Sequence, residues 1–72
     1  MLNQSEMTPK QAELLAYLKS YQREHGYPPT RTEIAHAFGW SSPNAADEHL
    51  RKMAHLGVLT LTRRVARGIR ID

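Results

Sequence analysis

The 72-residue sequence contains no cysteine, only one tryptophan and one phenylalanine, and no long apolar run. Without cysteine, a disulfide framework, a thiolate zinc site and a cysteine nucleophile are all excluded. No apolar run approaches the roughly 18 residues that a transmembrane helix needs. Glu6 and Glu13 interrupt a start that has no apolar segment, so we predict no signal peptide.

The length is itself a restriction, because 72 residues make one domain with one small core. A chain of this size buries only roughly 60% of its unfolded surface and leaves no room for a cofactor cleft. We therefore expect no cofactor, no small-molecule ligand and no membrane partner. The histidines are dispersed, and the six-residue separation of His49 and His55 does not suit metal ligation on one helix face, so no metal site is predicted.

Positive charge is concentrated at one end of the chain. Residues 1–50 hold four basic and six acidic side chains, a net charge of −2. Residues 51–72 hold six basic side chains against Asp72 alone, a net charge of +5, which brings the chain to +3. A basic cluster of this kind is typical of proteins that bind polyanions, although many small domains carry a merely solvated basic surface.

Local sequence signals predict three helices. Thr8 and Gln11 suit a capping box with Pro9 at the first helical position, which predicts a helix over about 9–25. A second capping box and a following glycine predict a short helix over about 31–38. Ser42 and Pro43 begin a third helix over about 43–56, with Gly57 after it.

After the third helix the apolar period changes from that of a helix to that of a strand. Alternating apolar and polar residues predict a β-hairpin over about 58–71, although its turn lacks an Asn-Gly or Gly-Gly signal. A short helix, a turn beginning with Gly39 and a longer helix are typical of a helix-turn-helix, here over about 31–51. The predicted fold is mainly α with a small β-hairpin: a winged helix-turn-helix with α-α-α-β-β order.

This fold suggests how the chain could bind DNA. The polar face of helix 43–56 could enter a major groove, as recognition helices do. The arginines near the tip of the hairpin could reach phosphates or the adjacent minor groove; they are Arg63, Arg64 and Arg67.

Several segments closely resemble the N-terminal DNA-binding domain of LexA, the SOS-response repressor family. The resemblance runs from Thr8 to Ile71 and is carried by 28–35, 42–46, 48–50 and 67–70. It implies a winged helix-turn-helix that binds palindromic operators in double-stranded DNA as a symmetric dimer and represses DNA-damage genes. It also implies a cytoplasmic protein of bacterial, phage or plasmid origin.

Chemistry and the resemblance together give a set of base-reading candidates. Asn44 can bond a base edge with both donor and acceptor, and Ala45 is small enough to contact a thymine methyl group. Asp47 and Glu48 would repel phosphates but could accept hydrogen bonds from cytosine N4. Their alternative role is to stabilise the helix dipole by ~0.3–1 kcal/mol. Asp47 departs from the Glu common in LexA proteins, which would shift operator preference.

A second set is predicted to contact the DNA backbone. Ser42 and the first-turn N–H groups can bind a phosphate with help from the helix dipole. His55 and Leu56 replace the Arg and Lys frequent in LexA relatives, and the arginines of the wing could offset that loss. The remaining backbone or wing candidates are Arg51, Lys52, His55, Arg63, Arg64 and Arg67, of which Arg67 matches the family's wing arginine.

LexA relatives usually continue into a Ser-Lys peptidase domain that dimerises the repressor and cleaves the linker. That domain is not in this sequence, so we expect no enzyme activity and at most weak dimerisation on DNA. Two other classes remain to be weighed. One is a winged-helix protein-interaction module that modulates a full-length repressor, which the acidic first half leaves open. The other is an enzyme, which the lack of a pocket and a catalytic set disfavours.

Overall fold

The computed structural model describes residues 7–71. Met7, the first described residue, packs against the core. Within the described range, no helix is long and apolar enough to cross a membrane. The observed elements confirm the predicted order; they are α1 (Pro9–His25), α2 (Arg31–Phe38), α3 (Pro43–His55), β1 (Leu59–Leu61) and β2 (Ile69–Ile71).

Both predicted capping boxes are present. The Thr8 hydroxyl accepts the Gln11 backbone N–H at 3.2 Å, and the Gln11 side chain accepts the Thr8 N–H at 3.1 Å. The Thr30 hydroxyl and the Glu33 carboxylate make the same reciprocal pair at 3.1 and 2.9 Å. Each box satisfies two backbone donors that a helix start leaves unbonded, which fixes where α1 and α2 begin.

The third helix begins at Pro43, as predicted, and ends at His55, one residue before the predicted end. Leu56 is its C-cap, and Gly57 follows with a φ of 84°. The left-handed conformation at Gly57 turns the chain out of the helix and towards the first strand. A shift of one residue is within the usual fraying of helix ends.

The core lies where the three helices meet the hairpin. α1 contributes Leu14, Leu15 and Leu18, which are 0–4% exposed. Because each helix offers one apolar stripe, none could be stable alone and packing of the three stripes holds the fold. The other buried hydrophobic side chains are Ile34, Ala35, Ala46, Leu50, Met53, Leu59 and Ile69.

The turn between α2 and α3 orients the two helices of the helix-turn-helix. Gly39 has a φ of 72°, and its N–H bonds back to the end of α2. The Trp40 N–H donates to the Ala35 carbonyl at 2.8 Å. The Trp40 indole is stacked between Phe38 and His49, with ring centroids 4.9 and 5.0 Å away. This aromatic stack joins the turn to α3, so the angle between α2 and α3 is fixed by packing.

The hairpin is antiparallel, and Leu59 faces Ile71 while Leu61 faces Ile69. Leu59 and Ile69 point into the core, whereas Thr60 and Arg70 are exposed. Since side chains alternate along a strand, this register places one apolar row on the helices and the polar row outside. Residues 62–68 form the loop between the strands, which we call the wing loop.

Candidate nucleic-acid interface

The first turns of α3 present a continuous polar surface. Ser42 caps the helix through its hydroxyl, which accepts the Asn44 N–H at 3.1 Å. Asn44 and Glu48 are exposed, and Ala45 is half-buried beside them. The opposite side of the helix buries Ala46, Leu50 and Met53 in the core. The apolar stripe thus fixes the rotation of α3, and this rotation places the predicted reading side chains towards solvent.

Lys52 and His55 lie on the same helix, one to two turns further along. Both are exposed, and both line a shallow apolar groove that runs between the end of α3 and the start of α1. Thr8, Gln11, Arg51 and Leu56 complete the groove. The predicted backbone candidates on α3 therefore lie on the exposed side of its last two turns.

The Asp47 carboxylate is bound on both oxygens by arginine side chains. Oδ1 accepts from the Arg31 Nε–H at 2.8 Å, and Oδ2 forms an ion pair with Arg51, whose Nε lies 2.9 Å away. Arg51 lies one turn along α3, whereas Arg31 is the first residue of α2. Arg31 and Asp47 are only 24% and 30% exposed, so this pair is shielded from water. A role for Asp47 in base reading stays a prediction, and its carboxylate would then serve a base as well as the two arginines, since each oxygen can accept a second hydrogen bond.

Sequence reasoning missed Arg31 as a member of this surface. It is 16 residues from Asp47 along the chain. The local sequence shows Arg31 only as the first residue of a capped helix, and nothing nearby indicates its partner. The crossing of α2 over α3 brings the two side chains together.

The wing loop is closed by its own backbone hydrogen bonds. The Thr62 N–H donates to the Gly68 carbonyl at 2.7 Å, and the Gly68 N–H donates to the Val65 carbonyl at 3.0 Å. Arg63 and Arg64 are exposed at its turn, and Arg64 has a φ of 62°. A bulky residue in the left-handed region is uncommon and costs of order 1–3 kcal/mol, and such strain is concentrated at functional sites.

A cleft of about 440 Å³ separates the wing loop from the helices. Arg31 and Arg51 line one wall and Arg63 and Arg64 line the other, with Asp47 between the first two. The structure thus brings four guanidinium-bearing side chains and one carboxylate around a single opening. We call this opening the arginine cleft; its remaining lining residues are Leu61, Thr62, Val65 and Ala66.

Arg67, predicted as a wing contact to DNA, is bound to other groups of the protein. Its two Nη groups bind the two oxygens of Glu33 at 2.9 Å each. One Nη also donates to the Pro28 carbonyl at 2.8 Å, and the guanidinium lies 4.5 Å from the centre of the Tyr27 ring. Contact of Arg67 with DNA stays a prediction, but its observed partners tie the wing loop to the start of α2.

The Arg67–Glu33 pair shifts the proton affinities of both partners. The hydrogen bond from Arg67, then the backbone N–H of Thr30 and the Tyr21 hydroxyl, lower the pKa of Glu33 to about 2. The same bidentate contact raises the pKa of Arg67 above its ordinary value. Glu33 therefore has two functions, since it caps α2 and also anchors the wing. The 34 residues that separate Glu33 from Arg67 explain why the sequence indicates only the first function.

Over residues 7–71, no group of three or more His, Cys, Asp or Glu is placed to hold a metal ion. Glu33, Asp47 and Arg67 are the titratable groups with the most extensive bonding, and all three are engaged in ion pairs that hold helices and wing together.

Comparison with known proteins gives a consistent result. A family model described as the LexA DNA binding domain matches residues 4–68. The LexA repressor of Pseudomonas chlororaphis is 52% identical over 65 residues, which is 90% of this chain and 32% of that protein. The LexA repressor of Pseudomonas aeruginosa (strain LESB58) and LexA repressor 1 of Pseudomonas putida are 51% identical over the same shares. The chain spans about a third of the length of these curated relatives. With its three helices, its antiparallel hairpin and the family match over most of its length, the chain belongs to the LexA DNA-binding domain family.

Proposed function

We propose that this domain binds double-stranded DNA sequence-specifically and represses transcription at a palindromic operator of the SOS type. The observation that carries the proposal is the exposed polar face of α3 with an arginine-bearing wing on the other side of one shared cleft. Family membership supports it, since the relatives are named LexA repressors. On this proposal the domain acts in the bacterial cytoplasm and performs no catalysis.

Base reading is assigned to the start of α3. Asn44, Ala45 and Glu48 lie on one exposed to half-exposed surface over the first two turns, the part of a recognition helix that reaches base edges. Asn44 suits an adenine edge, and Glu48 suits cytosine N4. Ser42 and the first-turn N–H groups would hold a phosphate beside them.

Backbone binding is assigned to the basic side chains along α3 and the wing. These side chains would fix the position of the domain and supply most of the affinity through counterion release. They carry no sequence information directly. The set consists of Arg51, Lys52, His55, Arg63 and Arg64.

The test begins with selection of preferred duplexes from a random pool, since Asp47 and His55 alter the expected operator. The selected duplex and a scrambled one are then titrated with the protein at two salt concentrations. We expect a palindromic selected sequence, with log affinity falling against log salt at a slope of about −0.9 per phosphate contact. Equal affinity for both duplexes would contradict sequence-specific binding.

The same titration distinguishes the protein-interaction module. If the domain binds no duplex at low salt but associates with a full-length LexA repressor, the interaction module replaces DNA binding as the function. Native mass spectrometry adds the stoichiometry. We expect a monomer without DNA and two copies on the palindromic duplex, because the DNA brings the two copies together even when their own contact is weak.

A further inference from the structure

The arginine cleft contains a feature that DNA reading by α3 does not require. Two of its arginines, Arg31 and Arg51, are joined by one carboxylate, that of Asp47. The nearest atom is Nε on both arginines, at 2.8 and 2.9 Å, with a hydrogen bond from Arg31 and an ion pair with Arg51. Across the opening, Arg63 and Arg64 are exposed, and neither has a salt bridge to any residue in the described part of the chain.

We propose that the arginine cleft binds one phosphate of the DNA backbone and that Asp47 is a positioning residue for it. This inference rests on the proposed function and deepens it. Asp47 would not read a base; it would hold Arg31 and Arg51 in a fixed orientation on the helix side of the cleft, opposite Arg63 and Arg64 on the wing side.

The hydrogen-bond geometry favours this role. A guanidinium group presents donors at Nε and at both Nη atoms in a planar fork. Asp47 accepts a hydrogen bond from the Arg31 Nε–H and pairs with Arg51 on its Nε side, and no hydrogen bond joins Asp47 to an Nη group of either arginine. Those Nη groups remain available to two oxygens of a phosphate, the arrangement in which arginine binds phosphate most strongly.

Charge and size are consistent with a phosphate. Four guanidinium groups against one carboxylate give the cleft a net charge of +3, so the carboxylate does not make it repel anions. The volume of about 440 Å³ exceeds what a phosphodiester group needs, and because one water occupies ~30 Å³, bridging waters fit as well.

The Asp47 carboxylate favours phosphate binding because it orders Arg31 and Arg51 before the phosphate binds. A free arginine loses up to about 2 kcal/mol of rotamer entropy when it is fixed by a ligand. The half-buried Asp47 has already fixed Arg31, which is 24% exposed, and it restrains Arg51, which is 75% exposed. Binding a phosphate then requires less ordering, which improves affinity without a new contact.

The experiment combines protein variants with single neutral phosphates. Methylphosphonate groups are placed one at a time along the selected duplex, and each duplex is titrated with wild-type protein, Asp47→Asn, Arg63→Ala and the control Arg23→Ala. Arg23 is exposed on α1 and does not line the cleft. Thermal unfolding of each variant establishes that it is folded; Arg63→Ala removes an exposed side chain and is expected to fold normally.

We expect one phosphate position at which neutralisation weakens wild-type binding about tenfold, the effect of one hydrogen bond to a charged group. In Asp47→Asn and Arg63→Ala the same neutralisation should cost less than about threefold, whereas Arg23→Ala should respond as wild type, since coupling appears only between groups in contact. The preference of Asp47→Asn at every base pair should match that of wild type. In the free protein, the Arg31 Nε–H resonance should lose protection from exchange in Asp47→Asn.

Two outcomes would overturn the inference and leave the proposed function intact. In one, wild type prefers the selected duplex but no phosphate position is coupled to Arg63 or Asp47. In the other, Asp47→Asn keeps the coupling and loses its preference at one base pair, which would make Asp47 a base-reading residue. Failure of wild type to prefer any duplex would instead contradict the proposed function itself.

Discussion

At the residue scale, the side chains of this surface fall into those that are exposed and those that are bound within the protein. Asn44 and Glu48 are exposed at the start of α3 and remain available to a partner. Asp47 and Arg67, which look equivalent to them in the sequence, are each bound by two or more groups. Exposure and internal bonding, not residue type, therefore separate the residues proposed to read bases from those held within the protein.

Replacement of Asn44 by Ala should reduce sequence discrimination. The variant loses the amide that can bond an adenine edge, at a cost of ~1–3 kcal/mol of preference at one base pair. The measurement is binding to the selected duplex and to duplexes substituted at each position. Lys52→Ala is the control, and it should weaken binding to all duplexes alike. A uniform loss in Asn44→Ala would show that Asn44 contacts only the backbone.

Replacement of Glu33 by Gln should reduce the dependence of stability on acidic pH. The pKa of Glu33 is about 2 in the folded protein, below its ordinary value of 4.5. A lowered pKa contributes stability that is fully present above pH ~4.5 and is lost as the pH falls towards 2. Urea unfolding at pH 7, 4 and 2.5 should show that the free energies of unfolding of wild type and Glu33→Gln converge at low pH. Glu24→Gln on α1 is the control, and a pH-independent difference for Glu33→Gln would contradict the assignment.

At the element scale, the wing is held in place from two directions. The strands bury Leu59 and Ile69 in the core, and Arg67 ties the end of the wing loop to Glu33 and Pro28. A two-stranded hairpin is only marginally stable in water, so these attachments are what give it a defined position. The wing is thus placed relative to α3 by contacts with α2 and with the α1–α2 link.

Replacement of Gly68 by Ala should destabilise the wing. An added Cβ would lie 2.7 Å from the Thr62 carbonyl oxygen and 2.9 Å from the Val65 carbonyl oxygen, both of them backbone atoms. The loop would have to move, which breaks its closing hydrogen bonds; overpacking of this kind typically costs ~1–3 kcal/mol. Urea unfolding measures the loss. Thr60→Ala, on the exposed side of β1, is a nearby control, and unchanged stability of Gly68→Ala would refute the close approach.

Two substitutions of Arg64 separate the effect of its backbone strain on stability from the effect of its charge on DNA binding. Its φ of 62° favours glycine, so Arg64→Gly should raise stability by about 1 kcal/mol through relief of strain. Arg64→Ala removes the same charge but keeps the strain. Both variants should bind DNA more weakly and with a shallower salt slope than wild type. Thermal unfolding and salt titration of the pair check this, and equal stabilities would contradict strain at Arg64.

At the scale of the whole molecule, a small core joins two parts of opposite net charge, residues 1–50 and residues 51–72. The acidic first half provides most of the helical scaffold, and the +5 segment provides the last turns of α3 and the wing. Among the described residues, Arg51–Asp47 and Arg67–Glu33 are the ion pairs that cross between these parts. The second pair ties the basic wing to α2, and together they bind two of the six acidic side chains of residues 1–50.

A core of this size should not tolerate a large cavity. Leu50 is fully buried where α3 meets α1 and the hairpin, so Leu50→Ala should cost ~2–5 kcal/mol. Small domains have a free energy of unfolding of only ~5–15 kcal/mol in total, so Leu50→Ala would remove a large part of it. Thermal and urea unfolding measure it. A change below about 1 kcal/mol would mean that this site can collapse around the smaller side chain.

The sequence by itself determined the elements, because their signals are local. Capping boxes, N1 prolines and glycines act within four residues, and they placed all three helices to within one residue at each end. The sequence also predicted a polar face on helix 43–56, and Asn44 and Glu48 on that face are exposed in the structure. Only the tertiary structure decided which polar side chains are exposed and which are bound internally. Arg31 meets Asp47 across 16 residues and Arg67 meets Glu33 across 34, and no local signal encodes pairs that form only when the helices cross and the wing packs against them.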